Sequence, residues 1–138
     1  MGLGLHVHGG LLMSLQTDLG KVRGLGSAKE GVRHWWAQRL TALALVPLVL
    51  WFVAAIAGLA GADIGPVRAW IAEPVTSVLL VVLIAVTFHH MQLGMQVVIE
   101  DYVHVEWLKI TSIVLVKFAS VLLAVAAGFA VLKIAFAG

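Results

Sequence analysis

The sequence predicts an all-α integral membrane protein with three transmembrane helices, and composition and run length carry that reading. Of its 138 residues, 62% are apolar and only 12% are charged, with a mean hydropathy of +1.05. A soluble domain carries about 25% charged residues to maintain a solvated surface. Three long apolar runs account for the excess. Residues 40–62 hold no charged side chain, residues 74–99 hold only His89 and His90 as ionisable groups, and residues 110–132 hold only Lys117. Each run exceeds the ~20 residues that a helix rising 1.5 Å per residue needs to cross about 30 Å of hydrocarbon. None alternates in hydrophobicity, as the roughly ten-residue strands of a membrane barrel would. Spans near 36–61, 74–100 and 107–135 therefore form a membrane domain over residues 35–138, preceded by a cytoplasmic segment, residues 1–34.

The same composition excludes other classes. Disordered chains are poor in large hydrophobes, which this chain has in abundance. With no cysteine there is no disulfide, thiolate zinc site or iron–sulfur cluster ligated by this chain. A net charge of +2 is too small to suggest nucleic acid, so membrane lipid is the surrounding partner.

The segment before the first span has no short apolar core followed by a small-residue cleavage site, and its basic residues come late, so it does not read as a signal peptide. Nor does it have the composition of a transit peptide. Its Gly-rich stretch through Gly31 is expected to be irregular or a short surface helix, and Met13-Ser14 offers an alternative start. The first span contains Pro47, expected to kink it by removing a backbone hydrogen bond, though membrane helices tolerate proline. Gly58, Gly61, Asp63, Gly65 and Pro66 close that span, and Arg68, Glu73 and Pro74 lead into the second. Glu100, Asp101, His104, Glu106 and Lys109 link the second to the third.

Lys21, Arg23, Lys29, Arg33 and Arg39 precede or open the first span, against Arg68 alone in the first loop, Lys109 in the second and Lys133 in the tail. The positive-inside rule then sets the N-terminus and second loop in the cytoplasm and the C-terminus outside. Gln38 and Arg39 share a membrane side with Asp101 and Tyr102.

His89 and His90 are the feature in most need of a cause, because an ionisable group at membrane depth is costly and marks a functional site by default. His90 lies about 15 Å inside if its helix ends near Glu100. A neutral imidazole there is an ordinary haem-iron ligand, and it is equally a group for hydrogen bonding to a neighbouring helix. The two rings point about 100° apart, so they do not serve one iron from one face. Gly94 lies one turn beyond His90 and leaves room for a flat macrocycle or a partner helix. Asp101 follows His90 by eleven residues, close to three turns, and shares its face, which favours His90 over His89. No other helix supplies a second intramembrane histidine, so a bis-histidine haem would need a ligand from another protein.

At the interface, a tyrosine hydroxyl such as Tyr102 can donate to a quinone carbonyl while Asp101 relays protons. Equally, Tyr102 belongs to an aromatic belt with Trp35, Trp36 and Trp107, and Asp101 is a solvated loop acid. Arg39 suits a haem propionate or a lipid phosphate through its planar fork, or is simply an interfacial positive-inside residue. Lys117 is expected to snorkel to the interface, with pairing to a buried acid or propionate as the alternative. His6, His8, His34 and His104 show no metal-ligand spacing, and there is no Walker loop, dinucleotide fingerprint or nucleophile–base pair. A complete active site is not present in this chain.

These residues resemble a known family. The run 90–102, His-Met-Gln-Leu-Gly-Met-Gln-Val-Val-Ile-Glu-Asp-Tyr, is similar to the H-x3-G-M-x5-D-Y pattern of the small hydrophobic membrane anchors of succinate dehydrogenase. Gly31-Val32 followed by Arg39, Thr41 and Ala42 resembles the family's G-V-x6-R-x-T-A lead into its first helix. The resemblance covers most of the chain from about Ser14, while the residues before Met13 have no counterpart.

The resemblance implies a subunit of succinate:quinone oxidoreductase, complex II, with an enzyme activity that belongs to the assembly. A flavoprotein subunit and an iron–sulfur subunit would oxidise succinate. This chain and a second membrane anchor, the cytochrome b subunit, would form a haem-binding helical bundle and reduce a quinone. His90 would be one axial ligand of haem b and the partner would supply the other. Arg39 would lie near the haem propionates, Tyr102 would bond the quinone and Asp101 would support that site. The alternative is a non-redox scaffold or transporter subunit with structural or proton-relaying histidines, although no inverted repeat or broken helix points that way. The expected location is a bacterial cytoplasmic membrane, with the C-terminus periplasmic.

Overall fold

The computed structural model describes residues 21–137, with side chains described from residue 30, and these residues are helical almost throughout. His6, His8 and Met13 lie outside the described residues. The helices are α1 (Lys21–Gly58), α2 (Ile64–Ala72), α3 (Pro74–Tyr102) and α4 (Glu106–Ala137). Three stretches are long and apolar enough to cross a membrane: Glu30–Gly58, Pro74–Tyr102 and Glu106–Ala137. The chain divides into two units, Met1–Ala37 and Gln38–Gly138, whose boundary falls inside α1.

In the first unit, the expectation that the Gly-rich stretch through Gly31 is irregular or a short surface helix is corrected over its described part, because residues 21–31 are helical and run on into the long helix α1. Glycine costs a helix only about 1 kcal/mol relative to alanine. The intervening Lys, Leu, Ala, Glu and Arg are good helix formers, and no proline interrupts them. Trp35 and Trp36 meet edge to face, with ring centroids 5.0 Å apart at 86°.

In the second unit α1 passes through Pro47 without a break and stops at Gly58. Gly61 then takes φ 79°, the left-handed conformation that only glycine adopts cheaply, and the chain turns back. The loop expected between the first two spans contains the nine-residue helix α2, which the sequence reading did not anticipate. So short a helix is marginal alone and depends on packing. Its Trp70 lies 5.8 Å from Trp51 and 6.4 Å from Phe52 of α1, ring centroid to centroid.

Glu73 is extended (φ −61°, ψ 131°) ahead of Pro74, because proline disfavours a helical predecessor, and α3 begins at that proline. Thr76 and Ser77 are buried in its first turn, where the Ser77 hydroxyl donates to the Pro74 carbonyl at 3.0 Å. Helix α3 packs mainly on α4, and α2 touches both. Leu80, Leu83, Leu93 and Ile99 are buried on α3, and Ser120 on α4 is 2% exposed. A small residue there permits the close backbone approach that membrane helices use in place of hydrophobic collapse.

Most large apolar side chains face outward. None of the most apolar stretch of the first span is buried, and only 17% and 6% of the corresponding stretches of the second and third are. Leu50, Phe118, Leu122 and Phe136 are all exposed. In water so much contiguous apolar surface would drive association. Such a surface suits contact with lipid tails or further helices, which carries no such cost.

Candidate functional site

The site begins at His90 on α3. Sixteen residues precede it in that helix and twelve follow to Tyr102, which sets it about 18 Å from the Tyr102 end by the helical rise. This is near the middle of a helix long and apolar enough to cross a membrane. His90 is half-buried, and its Nδ1 lies 2.9 Å from the Thr41 hydroxyl oxygen of α1. The same hydroxyl donates to the Gln38 carbonyl at 3.1 Å. No hydrogen bond to His90 Nε2 is found among the described residues. His89, the next residue, is exposed on a different face of α3.

One turn beyond His90, Gly94 faces the Gln38 side chain. A Cβ at that glycine would sit 3.7 Å from Gln38 Nε2. The Gln38 Oε1 is itself buried, with no hydrogen-bond partner among the described residues. Thus Gln38 opposes Gly94 and Thr41 opposes His90, so the two helices run antiparallel in this register. The opening of the second unit's part of α1 and the end of α3 therefore lie toward the same side.

That register separates residues which the sequence alone had grouped. Arg39 comes level with Leu93, so along the axis it is about 5 Å from His90 and about 12 Å from Asp101. Arg39 is exposed on α1, while Asp101 and Tyr102 are exposed at the last turn of α3, where Tyr102 is 78% accessible. No described contact joins Arg39 to Asp101 or Tyr102. Val103, extended at φ −98°, ends α3 directly after the tyrosine. His104 and Trp107 are exposed nearby, and Glu106 pairs with Lys109 at 3.8 Å on the surface. Lys117 is exposed on α4.

Among the described residues no three His, Cys, Asp or Glu side chains converge as a protein-ligated metal ion requires. The arrangement instead offers single donors: one imidazole nitrogen at depth, one guanidinium near its level, and a hydroxyl with a carboxylate at the interface. A flat redox group could be gripped from one side by such a set. The role of Thr41 was missed in the sequence, where it stood only as a motif position. The signal available was a hydroxyl at the second residue of an apolar run, able to face a histidine on another helix.

The chain is similar to proteins of known role. The family described as succinate dehydrogenase/fumarate reductase transmembrane subunit matches residues 13–131. The succinate dehydrogenase hydrophobic membrane anchor subunit of Rickettsia bellii is 35% identical over 111 residues, covering 80% of this chain and 89% of the relative. The protein of the same description in Rickettsia conorii is 30% identical over 117 residues, covering 84% and 93%. The succinate dehydrogenase membrane anchor subunit of Reclinomonas americana is 31% identical over 96 residues, covering 67% and 80%.

Proposed function

The chain belongs to the succinate dehydrogenase/fumarate reductase transmembrane subunit family, as a membrane anchor subunit of succinate dehydrogenase, and on that ground we propose that it holds haem b through His90 and helps form a quinone-reduction site with Tyr102 and Asp101. The observation that carries the reading is the divided use of the His90 ring. An interhelical hydrogen bond alone would account for Nδ1, which Thr41 engages at 2.9 Å. It does not account for Nε2, which is left without a described partner at mid-membrane depth.

These residues fit a haem as one half of its site. His90 offers a single nitrogen donor, and the outer faces of α1 and α3 around it are uncovered and apolar. Arg39, nearly level with that imidazole, supplies a fixed positive charge for a propionate. Haem b, when bound, stores and passes one electron. A second membrane anchor, the cytochrome b subunit, would supply the rest of the haem's protein ligation. The iron–sulfur and flavoprotein subunits complete the assembly and oxidise succinate.

At the interface, the Tyr102 hydroxyl donates to a quinone carbonyl oxygen and orients the ring. Asp101, beside it, accepts and returns protons as the quinone takes up two electrons and two protons to become quinol. The exposed position of both residues at the end of α3 supports this role, because a quinone head group and protons from water can reach them. The membrane would be a bacterial cytoplasmic membrane, and the Lys and Arg excess before the first span supports an N-terminus on its cytoplasmic side.

The test is a dithionite-reduced minus oxidised visible spectrum of the complex purified through this chain, with His90→Ala alongside. The expected result is a b-type signal in the wild type that is lost in the assembled variant. An intact wild-type complex without haem would overturn the haem assignment and leave a haem-free anchor.

A further inference from the structure

We propose that Thr41 is the positioning residue for His90: its hydroxyl fixes the ring as the Nδ1–H tautomer and leaves the lone pair on Nε2 for iron. The inference rests on His90 being the haem ligand and adds how this chain prepares it. The two contacts taken together select the tautomer. A hydroxyl has one proton, so both contacts are hydrogen bonds at once only when that proton goes to the Gln38 carbonyl, which can only accept, at 3.1 Å. This back-bond to a carbonyl three residues earlier is an ordinary rotamer for a helical threonine. The 2.9 Å contact with His90 Nδ1 is then a hydrogen bond only if the nitrogen donates and the Thr41 oxygen accepts. A neutral imidazole with its proton on Nδ1 has its free lone pair on Nε2. In the opposite arrangement Nε2 would carry the proton and could not bind a metal.

The choice of a hydroxyl also has a physical reason. Ligating histidines commonly donate their other N–H to a carboxylate, carbonyl or water, which fixes ring orientation and raises ligand basicity. A carboxylate at this depth would add a buried charge, which the bilayer penalises by a few kcal/mol. Threonine provides the acceptor without the charge, and its own proton is satisfied within α1. The bond also ties the ligand on α3 to α1, so the ring plane follows the packing of the two helices.

The experiment compares the assembled complex carrying Thr41→Val, Thr41→Ser and His90→Ala with the wild type, reading haem per complex, haem midpoint potential and the low-spin ferric EPR signal. Valine keeps the shape of threonine and removes the hydroxyl, while serine keeps the hydroxyl. The expected result for Thr41→Val is haem affinity lowered about 10–100-fold, the range found when a partner behind a metal ligand is removed. Its remaining haem has a raised potential, because a less basic ligand stabilises ferric iron less, and a broadened EPR signal from a less fixed ring. Serine restores all three readings. Should the valine variant fail to assemble, Thr41→Ala takes its place with the same expected result. Wild-type haem content, potential and EPR in the hydroxyl-free variant, with haem lost in His90→Ala, would overturn the role of Thr41 and leave the ligand assignment standing. A serine variant as impaired as valine would also overturn it. A wild-type haem signal in His90→Ala removes the ligand assignment and this inference together.

Discussion

Gly94 offers a quantitative test of the helix register. An added Cβ would meet Gln38 Nε2 at 3.7 Å, an ordinary van der Waals contact, and no other neighbouring atom within 4 Å. Gly94→Ala should therefore fit, and it should gain up to about 1 kcal/mol in helix propensity inside α3. Gly94→Leu differs, because a further carbon about 1.5 Å beyond Cβ can approach the Gln38 amide to about 2 Å, well inside the ~3.5–4.0 Å optimum. Relief requires Gln38 to leave or α1 to move away, at a cost of about 1–3 kcal/mol for overpacking. Because Thr41 is one turn from Gln38, a shift of α1 also lengthens the Thr41–His90 bond. The assay is thermal inactivation of the detergent-solubilised complex, with haem per complex read on the same samples. The expected order is alanine equal to or above wild type, then leucine clearly below with reduced haem. The reasoning is refuted if alanine destabilises as much as leucine, since something other than Gln38 would then press on Gly94, as a macrocycle from the opposite face would.

Two further outcomes follow from the same geometry. Tyr102→Phe keeps the ring and removes the hydroxyl, so quinone reductase activity should fall up to about 10-fold, the equivalent of one hydrogen bond near 1.4 kcal/mol. Succinate oxidation by a soluble dye should be unchanged, and equal loss of both would sink the assignment. Gly61→Ala should destabilise the loop after α1 by about 1–2 kcal/mol, because φ 79° is strained for any residue with a Cβ although space is open around it. A lowered midpoint in thermal unfolding of the complex with unchanged haem content checks it, and an unaltered midpoint counts against the strain.

Features that depend on local composition could be read directly from the chain. The three spans are legible because crossing a bilayer requires a fixed length of apolar helix, and residues 40–62, 74–99 and 110–132 each meet it without reference to the rest of the chain. The break at Glu73-Pro74 is likewise local, since proline restricts its own predecessor. His90 stood out for the same kind of reason, as a polar group in a run that should have none. Helix α2 was not legible, because nine residues packed through Trp70 are stabilised by neighbours distant in sequence. The grouping of Arg39 with Asp101 and Tyr102 was too coarse, because side of the membrane fixes only which ends are shared and not the axial offset between helices. That offset comes from the pairing of Gln38 with Gly94 and of Thr41 with His90. Interhelical register is set by which side chains interdigitate, and apolar runs of similar length admit many registers of nearly equal hydropathy. Tertiary packing alone selected one of them, and with it the nitrogen of His90 that is held and the nitrogen that is left open.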